Sequence, residues 1–551
     1  MRAVDLDEER AALERARSAA ADKLVELRSR KLVAADELSE EYMQAVIRGA
    51  IEKLQNELTV FGRIDDDEPW RVGLYGVEQR GNQLVIDWRA PFAQAFYRAH
   101  FDDPHGLTRR VSYVGAIDEL FIEEFASREV TGSSPLMTEL SRGRGDTMKT
   151  AVATLQSEQD ELVRRSPDER MVLRGGPGTG KTVVGLHRAA WLVYNDRRVL
   201  SSDILVLGPS DRYLRYVASV LPTLGETKVR QTTFARLLGP TSEVGSTIDW
   251  PAVLDAFEAS MYAPQPLKVR FKQVGEGEVA DMLAHVQQSS LPWRDKRKGV
   301  ESALMRRTGF PAKDVRDAVA TVMPACSAAQ AWKRLQSPQT LRALGLDADT
   351  IAAWRAVDED GPLQDELNAR FNTSPIRYSH VVVDEAQDLT EMQLRAVERR
   401  SAGLTLVGDD AQISAPGALG LRAIAERLAI EPDELATAYR MSAEIADWLN
   451  ALAQRSGLPA VELIGIRPTG TAVIERPGDA VATEQQRVEN AWDNARMLAT
   501  GDVWTHKGIE YDAVVVDARG MGAAELYLAA SRAAHELVVC GLDLWAGLSS
   551  R

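Results

Sequence analysis

Gly175-Gly176-Pro177-Gly178-Thr179-Gly180-Lys181-Thr182 is the stretch that decides the fold. It fits G-x-x-x-x-G-K-[ST]. It follows the apolar run Met171-Val172-Leu173 and leads into a helical pattern, Val183-Val184-Gly185-Leu186-His187. Strand, glycine-rich turn and helix in that order make a loop whose backbone N–H groups can curl round phosphate oxygens. Lys181 is then placed to neutralise charge on the β- and γ-phosphates, and the Thr182 hydroxyl to bind Mg²⁺. A loop of this kind needs a parallel sheet beneath it.

Working outward, the chain supplies that sheet. Ile204-Leu205-Val206-Leu207, His380-Val381-Val382-Val383, Leu404-Thr405-Leu406-Val407 and Ala513-Val514-Val515-Val516 are short apolar runs closely followed by Gly, Asp or a helix. Strands buried on both faces read this way. The run at 380–383 ends in Asp384-Glu385-Ala386-Gln387-Asp388. An acid at the tip of a buried strand can order a Mg²⁺ shell, which gives Asp384 the metal role. Glu385 beside it can orient and activate water, the second carboxylate that phosphoryl transfer to water needs.

The remaining organisation is read from texture. Residues 1–60 predict an antiparallel helical hairpin: Leu13, Ala16, Ala20, Leu24 and Leu27 form one stripe, and Leu38, Tyr42, Val46, Ala50, Leu54 and Leu58 a second. Arms of about 25 residues would reach about 37 Å. Such a hairpin either lies on the body or projects as a probe into a partner. Residues 61–150 predict a small β-rich module and linker, with strands around an Arg80-Gly81-Asn82 turn. Its aromatics Trp70, Trp88, Phe92, Phe96 and Tyr97 read as core rather than as a binding face. Residues 151–239 and 376–430 predict the first α/β domain, 240–375 a helical insertion into it, and 431–551 a second, smaller α/β domain.

Composition narrows the function. Of 551 residues, 66 are Lys or Arg and 81 Asp or Glu, a formal net charge of −15. That argues against coating nucleic acid by bulk electrostatics, though not against a local basic groove. The two cysteines, Cys326 and Cys540, form no C-x-x-C. A disulfide framework and a zinc module are therefore not expected, and a reducing, cytoplasmic setting is. The N-terminus is acidic without a signal-peptide core, and no apolar run approaches about 18 residues, so no membrane association is expected.

The acidic motif has the D-E-A-Q-D form, and further motifs stand around it in a fixed order. In this array the chain resembles superfamily 1 helicases of the UvrD/Rep type. Gln159 precedes the phosphate loop where that family has an adenine-reading glutamine. Leu406-Val407-Gly408-Asp409-Asp410-Ala411-Gln412 resembles the third motif, whose glutamine senses the γ-phosphate. Thr437-Ala438-Tyr439-Arg440 resembles N-Y-R-S, which implies Tyr439 stacked on adenine and Arg440 on the γ-phosphate. Lys507-Gly508-Ile509-Glu510-Tyr511-Asp512 resembles K-G-L-E-F, which implies a ribose contact for Glu510. Leu526-Tyr527-Leu528-Ala529-Ala530-Ser531-Arg532-Ala533 resembles Y-V-A-L-T-R-A, which makes Arg532 a second arginine finger. The resemblance implies two RecA-like P-loop domains with ATP and Mg²⁺ between them. The ATP-binding set would be Gln159, Gly175 to Thr182, Tyr439 and Glu510. The catalytic set would be Glu385, Gln412, Arg440 and Arg532, with Thr182 and Asp384 on the metal.

Several details point to one branch. After Gln412 stands Ile413-Ser414-Ala415-Pro416-Gly417-Ala418, without the aromatics that stack on bases in a translocating helicase. Stacking contributes about 1–3 kcal/mol per base, so nucleic acid would be held weakly. The short span from Arg440 to Lys507 leaves no room for the large 2B subdomain. The flanks are similar to HelD, the RNA-polymerase-associated branch. They include Val60-Phe61-Gly62-Arg63-Ile64-Asp65, Leu84-Val85-Ile86-Asp87-Trp88-Arg89-Ala90-Pro91-Phe92 and Ile204-Leu205-Val206-Leu207-Gly208-Pro209-Ser210. The resemblance implies a monomeric ATPase that enters bacterial RNA polymerase and releases stalled enzyme. The hairpin would serve as secondary-channel probe, and the insertion would reach the primary channel. The alternatives are a 3′–5′ DNA helicase or translocase of the UvrD type in repair or recombination, and a nucleotide-gated binding protein with little turnover.

Overall fold

The computed structural model describes residues 4–29, 60–114, 119–140, 151–226, 228–373 and 375–542. Two parallel α/β units carry the architecture. The first is a six-stranded sheet in the order Arg230–Thr233, Ile204–Gly208, Tyr378–Val383, Ser401–Gly408, Met171–Gly175, Asp433–Leu435, with every neighbouring pair parallel. The second is a four-stranded parallel sheet in the order Ile474–Arg476, Ala533–Cys540, Tyr511–Asp517, Ala495–Leu498. Both have the form of RecA-like P-loop domains, parallel sheets flanked by helices. Asp433–Leu435 extends the first sheet past the boundary expected at residue 430. A strand of three residues has too little apolar run to announce itself in sequence.

Between Arg230–Thr233 and Tyr378–Val383 the chain leaves the sheet for a long run of helices and a hairpin, Leu267–Val269 with Lys272–Val274. This insertion builds its own core around Trp250, Trp293, Trp354, Phe257 and Phe371. Trp250 meets Trp354 edge to face with ring centroids 4.7 Å apart, the geometry that aromatic quadrupoles favour.

The N-terminal module is larger than the sequence suggests. It is a seven-stranded sheet in the order Val77–Gln79, Asn82–Asp87, Pro69–Gly73, Val60–Asp65, Arg109–Tyr113, Leu120–Glu124, Glu129–Thr131. Trp88, Phe96 and Tyr97 are buried and Trp70 is half-buried, whereas Phe92 is 45% exposed. The module does not stand apart from the first α/β unit, because one apolar cluster runs from Phe61 and Trp88 through Leu162 to Val184 and Val206. Polar contacts seal the seam. Tyr75 donates to the Thr223 carbonyl at 2.6 Å, and Arg89, 1% exposed, pairs with Asp87 at 2.8 Å and Glu226 at 3.0 Å.

The first arm of the expected hairpin is the helix Leu6–Ser29. The second arm, Leu38 to Leu58, lies outside the described residues, as do the side chains of Leu24 and Leu27. The first half of the helix lies on the module, with Ala16, Ala19 and Ala20 against Val77 and Val85. Glu9 is fully buried and takes both Arg71 and Arg63, the latter at 2.9 Å, together with the Tyr113 hydroxyl. Burial pushes its carboxyl up, but the Arg71 and Tyr113 hydrogen bonds and the two arginine charges outweigh this and hold it below the ordinary 4.5.

Removing that carboxylate should free the helix. Glu9→Ala deprives Arg71 and the Tyr113 hydroxyl of their shared carboxylate and leaves Arg63 with Asp65, a loss of about 3 kcal/mol by the scale for stripping one partner from a buried ion cluster. Protease cleavage within residues 6–29 should become early, and an unchanged cleavage pattern would contradict the anchor. Because the folded pKa is lowered, Glu9's contribution is complete above 4.5 and is lost as pH falls through the folded value. Wild type should therefore show the same early cleavage only in acid.

Candidate active site

The phosphate loop leaves the strand Met171–Gly175 and enters the helix Lys181–Asn195. Gly178 and Gly180 take φ of +75° and +87°, left-handed conformations that an L side chain resists. At Gly180 space is also denied, because a Cβ would come within 2.3 Å of the Gln159 amide. Lys181 Nζ donates to the Gly176 carbonyl at 2.6 Å and Thr179 Oγ1 to the same oxygen at 2.9 Å. The loop is thus braced from inside, with its lysine at the rim.

Gln159 lies against this loop. Its Nε2 donates to the Thr179 carbonyl at 2.9 Å, and its Oε1 accepts the Gln156 N–H at 3.2 Å, closing a capping box on the helix Ser157–Val163. The other end of that helix is satisfied by Arg188, which donates to the carbonyls of Leu162, Val163, Arg165 and Ser166. Burial pushes the Arg188 guanidinium down to about 10, still cationic at neutral pH.

Asp384 and Glu385 follow the strand Tyr378–Val383. Thr182 Oγ1 donates to Asp384 Oδ2 at 2.6 Å, and the Tyr213 hydroxyl donates to the same oxygen. The Glu385 N–H donates to Asp384 Oδ1 at 2.9 Å. Glu385 itself sits at φ +55°, a conformation uncommon for a residue with a Cβ. Its carboxylate accepts from Gln387 Nε2 at 2.7 Å. Burial and the neighbouring Glu385 push the Asp384 carboxyl up against its three donors. Burial acts the same way on Glu385, but the charges of Lys507, Lys181 and Arg532 and the Gln387 N–H hold it below the usual carboxylate range. A carboxylate held ionised thus stands beside one whose charged form burial and that neighbour disfavour. The hydroxyl and carboxylate of Thr182 and Asp384 are oxygen donors of the kind that suits Mg²⁺.

The second α/β unit completes the cleft. Arg532 Nη2 donates to Gln412 Oε1 at 3.0 Å, and Gln412 Nε2 donates to Asp409 at 2.8 Å. Arg440 Nη1 pairs with Glu510 at 2.7 Å. The Tyr439 N–H donates to the Gly178 carbonyl at 3.0 Å, and its hydroxyl bonds Glu158. One narrow cleft is lined by Gly178, Lys181, Thr182, Glu385, Gln412, Arg440, Glu510 and Arg532. Gln159 and Tyr439 flank it without lining it. Glu510 stands here as the carboxylate partner of Arg440.

Three participants carry no individual signal in the sequence. Tyr213 and Tyr216 stand three residues apart on the helix Asp211–Val217, one on Asp384 and the other in the cleft wall. Lys507 reaches Asp388 and the Gln412 carbonyl, each at 2.6 Å, and lies 3.7 Å from Glu385. Lys507 is visible within its motif but without a role. The tyrosines give no signal beyond their helical spacing.

The fold and this cleft define a helicase-like P-loop ATPase. Two family models agree with that class: "DNA helicase IV HelD, N-terminal domain" matches residues 3–120, and "AAA domain" matches residues 304–418. With the motif array they identify the chain as HelD-like, within superfamily 1 of the helicases. The second match takes in Asp384, Glu385 and Gln412; the phosphate loop lies before it. No curated protein matches the chain. Among solved structures, the PRRSV helicase is 15% identical over 37% of this chain with a TM-score of 0.23, and the chain spans 44% of that protein's length. Arterivirus nonstructural protein 10 (helicase) is 11% identical over 79% of this chain and 74% of its own, with a TM-score of 0.28. Among the described residues no helix is long and apolar enough to cross a membrane.

Glu385→Gln should keep nucleotide binding and slow turnover at least about 100-fold, the range for losing a general base. A wild-type single-turnover rate would remove Glu385 from that role. Arg440→Ala and Arg532→Ala should lower kcat far more than ATP affinity, because the charge they meet is greatest in the transition state. Equal losses in both would indicate uniform binding.

Proposed function

We propose that this chain is an ATP-driven motor that binds bacterial RNA polymerase and uses closure of its two α/β lobes to release stalled polymerase from nucleic acid. The observation that carries the motor is the cleft in which Lys181 and Glu385 of one lobe face Arg440 and Arg532 of the other. ATP lies between the lobes with its triphosphate on the phosphate loop. Thr182 and Asp384 would hold Mg²⁺, which would supply positive charge against the triphosphate. Glu385 accepts the proton of the attacking water. Lys507 and Gln387 keep it oriented and ionised. Arg440 leaves Glu510, and Arg532 leaves Gln412, to meet the charge that develops on the γ-phosphoryl group. Hydrolysis removes the group that holds the arginines, and the lobes part.

The HelD-type N-terminal module supports the polymerase partner. So does the segment after Gln412, where Ser414 is bonded to Asp388 at 2.8 Å instead of presenting an aromatic to a base. An acidic chain suits entry into a basic channel. A UvrD-type DNA translocase is the reading that the same experiments test.

Lys181→Ala should abolish hydrolysis and severely weaken nucleotide binding, and wild-type turnover would displace the site. Deleting residues 1–58 should leave basal ATPase nearly intact, since the cleft begins beyond residue 150, and should abolish co-elution with RNA polymerase. The deletion also removes Glu9, so Glu9→Ala in the full chain is the control for loss of anchoring. Unchanged co-elution on deletion, with ATPase strongly stimulated by single-stranded DNA, would favour the translocase.

A further inference from the structure

Tyr213 is buried at 1% exposure at the seam of the two lobes. Its helix, Asp211–Val217, starts from Ser210, whose hydroxyl accepts the Tyr213 N–H at 3.1 Å. The ring lies in a slot made by two glycines, one from each lobe. A Cβ on Gly208 would come within 2.5 Å of the ring, and one on Gly508 within 2.8 Å. Gly508 also has φ +79°, so glycine is doubly suited there. On the same helix Arg212 donates to the Tyr511 hydroxyl at 3.1 Å, a second link to the smaller lobe.

The hydroxyl held in this slot donates to Asp384 Oδ2, which also accepts from Thr182 Oγ1. With the Glu385 N–H on Oδ1, three donors occupy a carboxylate that offers about four lone-pair sites. Both side-chain donors use Oδ2, so the lone pairs that a cation, or a water bound to it, would need on that oxygen are already engaged. The ring cannot swing clear without displacing a glycine wall. The slot therefore keeps the Tyr213 oxygen beside Oδ2 for as long as the lobe contact holds.

We propose that Tyr213 is a positioning residue that holds Asp384 by its Oδ2 and so sets how tightly a divalent cation is taken up with nucleotide. The proposal rests on the ATP-site reading above. Tyr213 opposes the cation by one hydrogen bond to a charged acceptor, and its slot ties that opposition to the lobe contact.

The test uses the full chain with Mn²⁺ as the probe, its free concentration read by electron paramagnetic resonance at saturating ADP. Tyr213→Phe keeps the ring and removes the hydroxyl. It should bind Mn²⁺ about tenfold tighter, the scale of one hydrogen bond to a charged group. Its nucleotide affinity in EDTA should equal that of wild type. Replacing Tyr213 by 3-fluorotyrosine, a stronger donor of nearly the same shape, should shift Mn²⁺ affinity the opposite way and guards against a folding defect in the first variant. Mn²⁺ affinity that is unchanged or weaker in Tyr213→Phe, or unchanged or tighter with fluorotyrosine, overturns the proposal. Wild type without any Mn²⁺–nucleotide linkage, or Lys181→Ala with undiminished nucleotide affinity, overturns the site reading and this proposal together. Intact linkage that ignores both Tyr213 changes overturns this proposal alone.

Discussion

The hydrogen bond from Thr182 to Asp384 spans two strand ends that the sheet keeps apart. Between the phosphate-loop strand and the strand of Asp384 lies Ser401–Gly408, so the two ends are separated by about 10 Å at the usual strand spacing. The contact at 2.6 Å exists because the loop folds back over the carboxyl edge and starts its helix there. That return requires the left-handed turns at Gly178 and Gly180. It also requires all strands to run the same way, so that every loop bearing a functional side chain opens on one edge. Gln412, after the intervening strand, drops into the gap between the other two. The insertion is tolerated because it leaves from Arg230–Thr233 at the far end of that sheet.

Charge in the cleft is balanced within the protein. Arg440 rests on Glu510, Lys507 on Asp388, and Lys181 on a backbone carbonyl. A buried guanidinium without a partner would be costly, so each cation needs an acceptor of its own. A triphosphate bound as proposed would compete with those acceptors, and its net binding would be the difference between phosphate and carboxylate or carbonyl contacts. Under that reading, selectivity for the transition state would follow. The added charge there strengthens the phosphate side of the exchange and leaves the carboxylate side unchanged.

The parallel strands are legible in the sequence because burial on both faces demands unbroken apolar runs. The loop and acidic motifs are legible because their chemistry is confined to consecutive residues. Three features are not. Asp433–Leu435 is short and mostly polar, and only its partner Met171–Gly175 makes it a strand. The union of the N-terminal module with the first lobe depends on Arg89, Tyr75 and Trp88 meeting residues more than a hundred positions away or nearly so. Tyr213 reads in sequence as one more apolar position on a helix. Its hydroxyl acquires meaning only when Asp384, 171 positions on, is folded beside it. The hidden features are tertiary, and the legible ones are periodic or local.

The fused module has a mechanical consequence for the nucleotide site. Arg98 of the module pairs with Asp160 at 3.1 Å. Arg164 binds Asp160 and also the Trp88, Arg89 and Ala90 carbonyls. Asp160 lies in the helix that carries Gln159 and Arg164 caps its C-terminal end, and the Gln159 amide is fixed to the phosphate loop. Asp160 and Arg164 are buried, so their bonds are poorly screened by solvent. The module, the Gln159 helix and the phosphate loop therefore form one stiff body through side chains as well as through the shared apolar core. Anything gripped by the module is held at a fixed distance from the phosphate loop. The smaller lobe meets this body through Arg532 on Gln412 and through the slot that Gly508 closes around Tyr213, so under the proposed cycle those contacts are the ones that closure would remake.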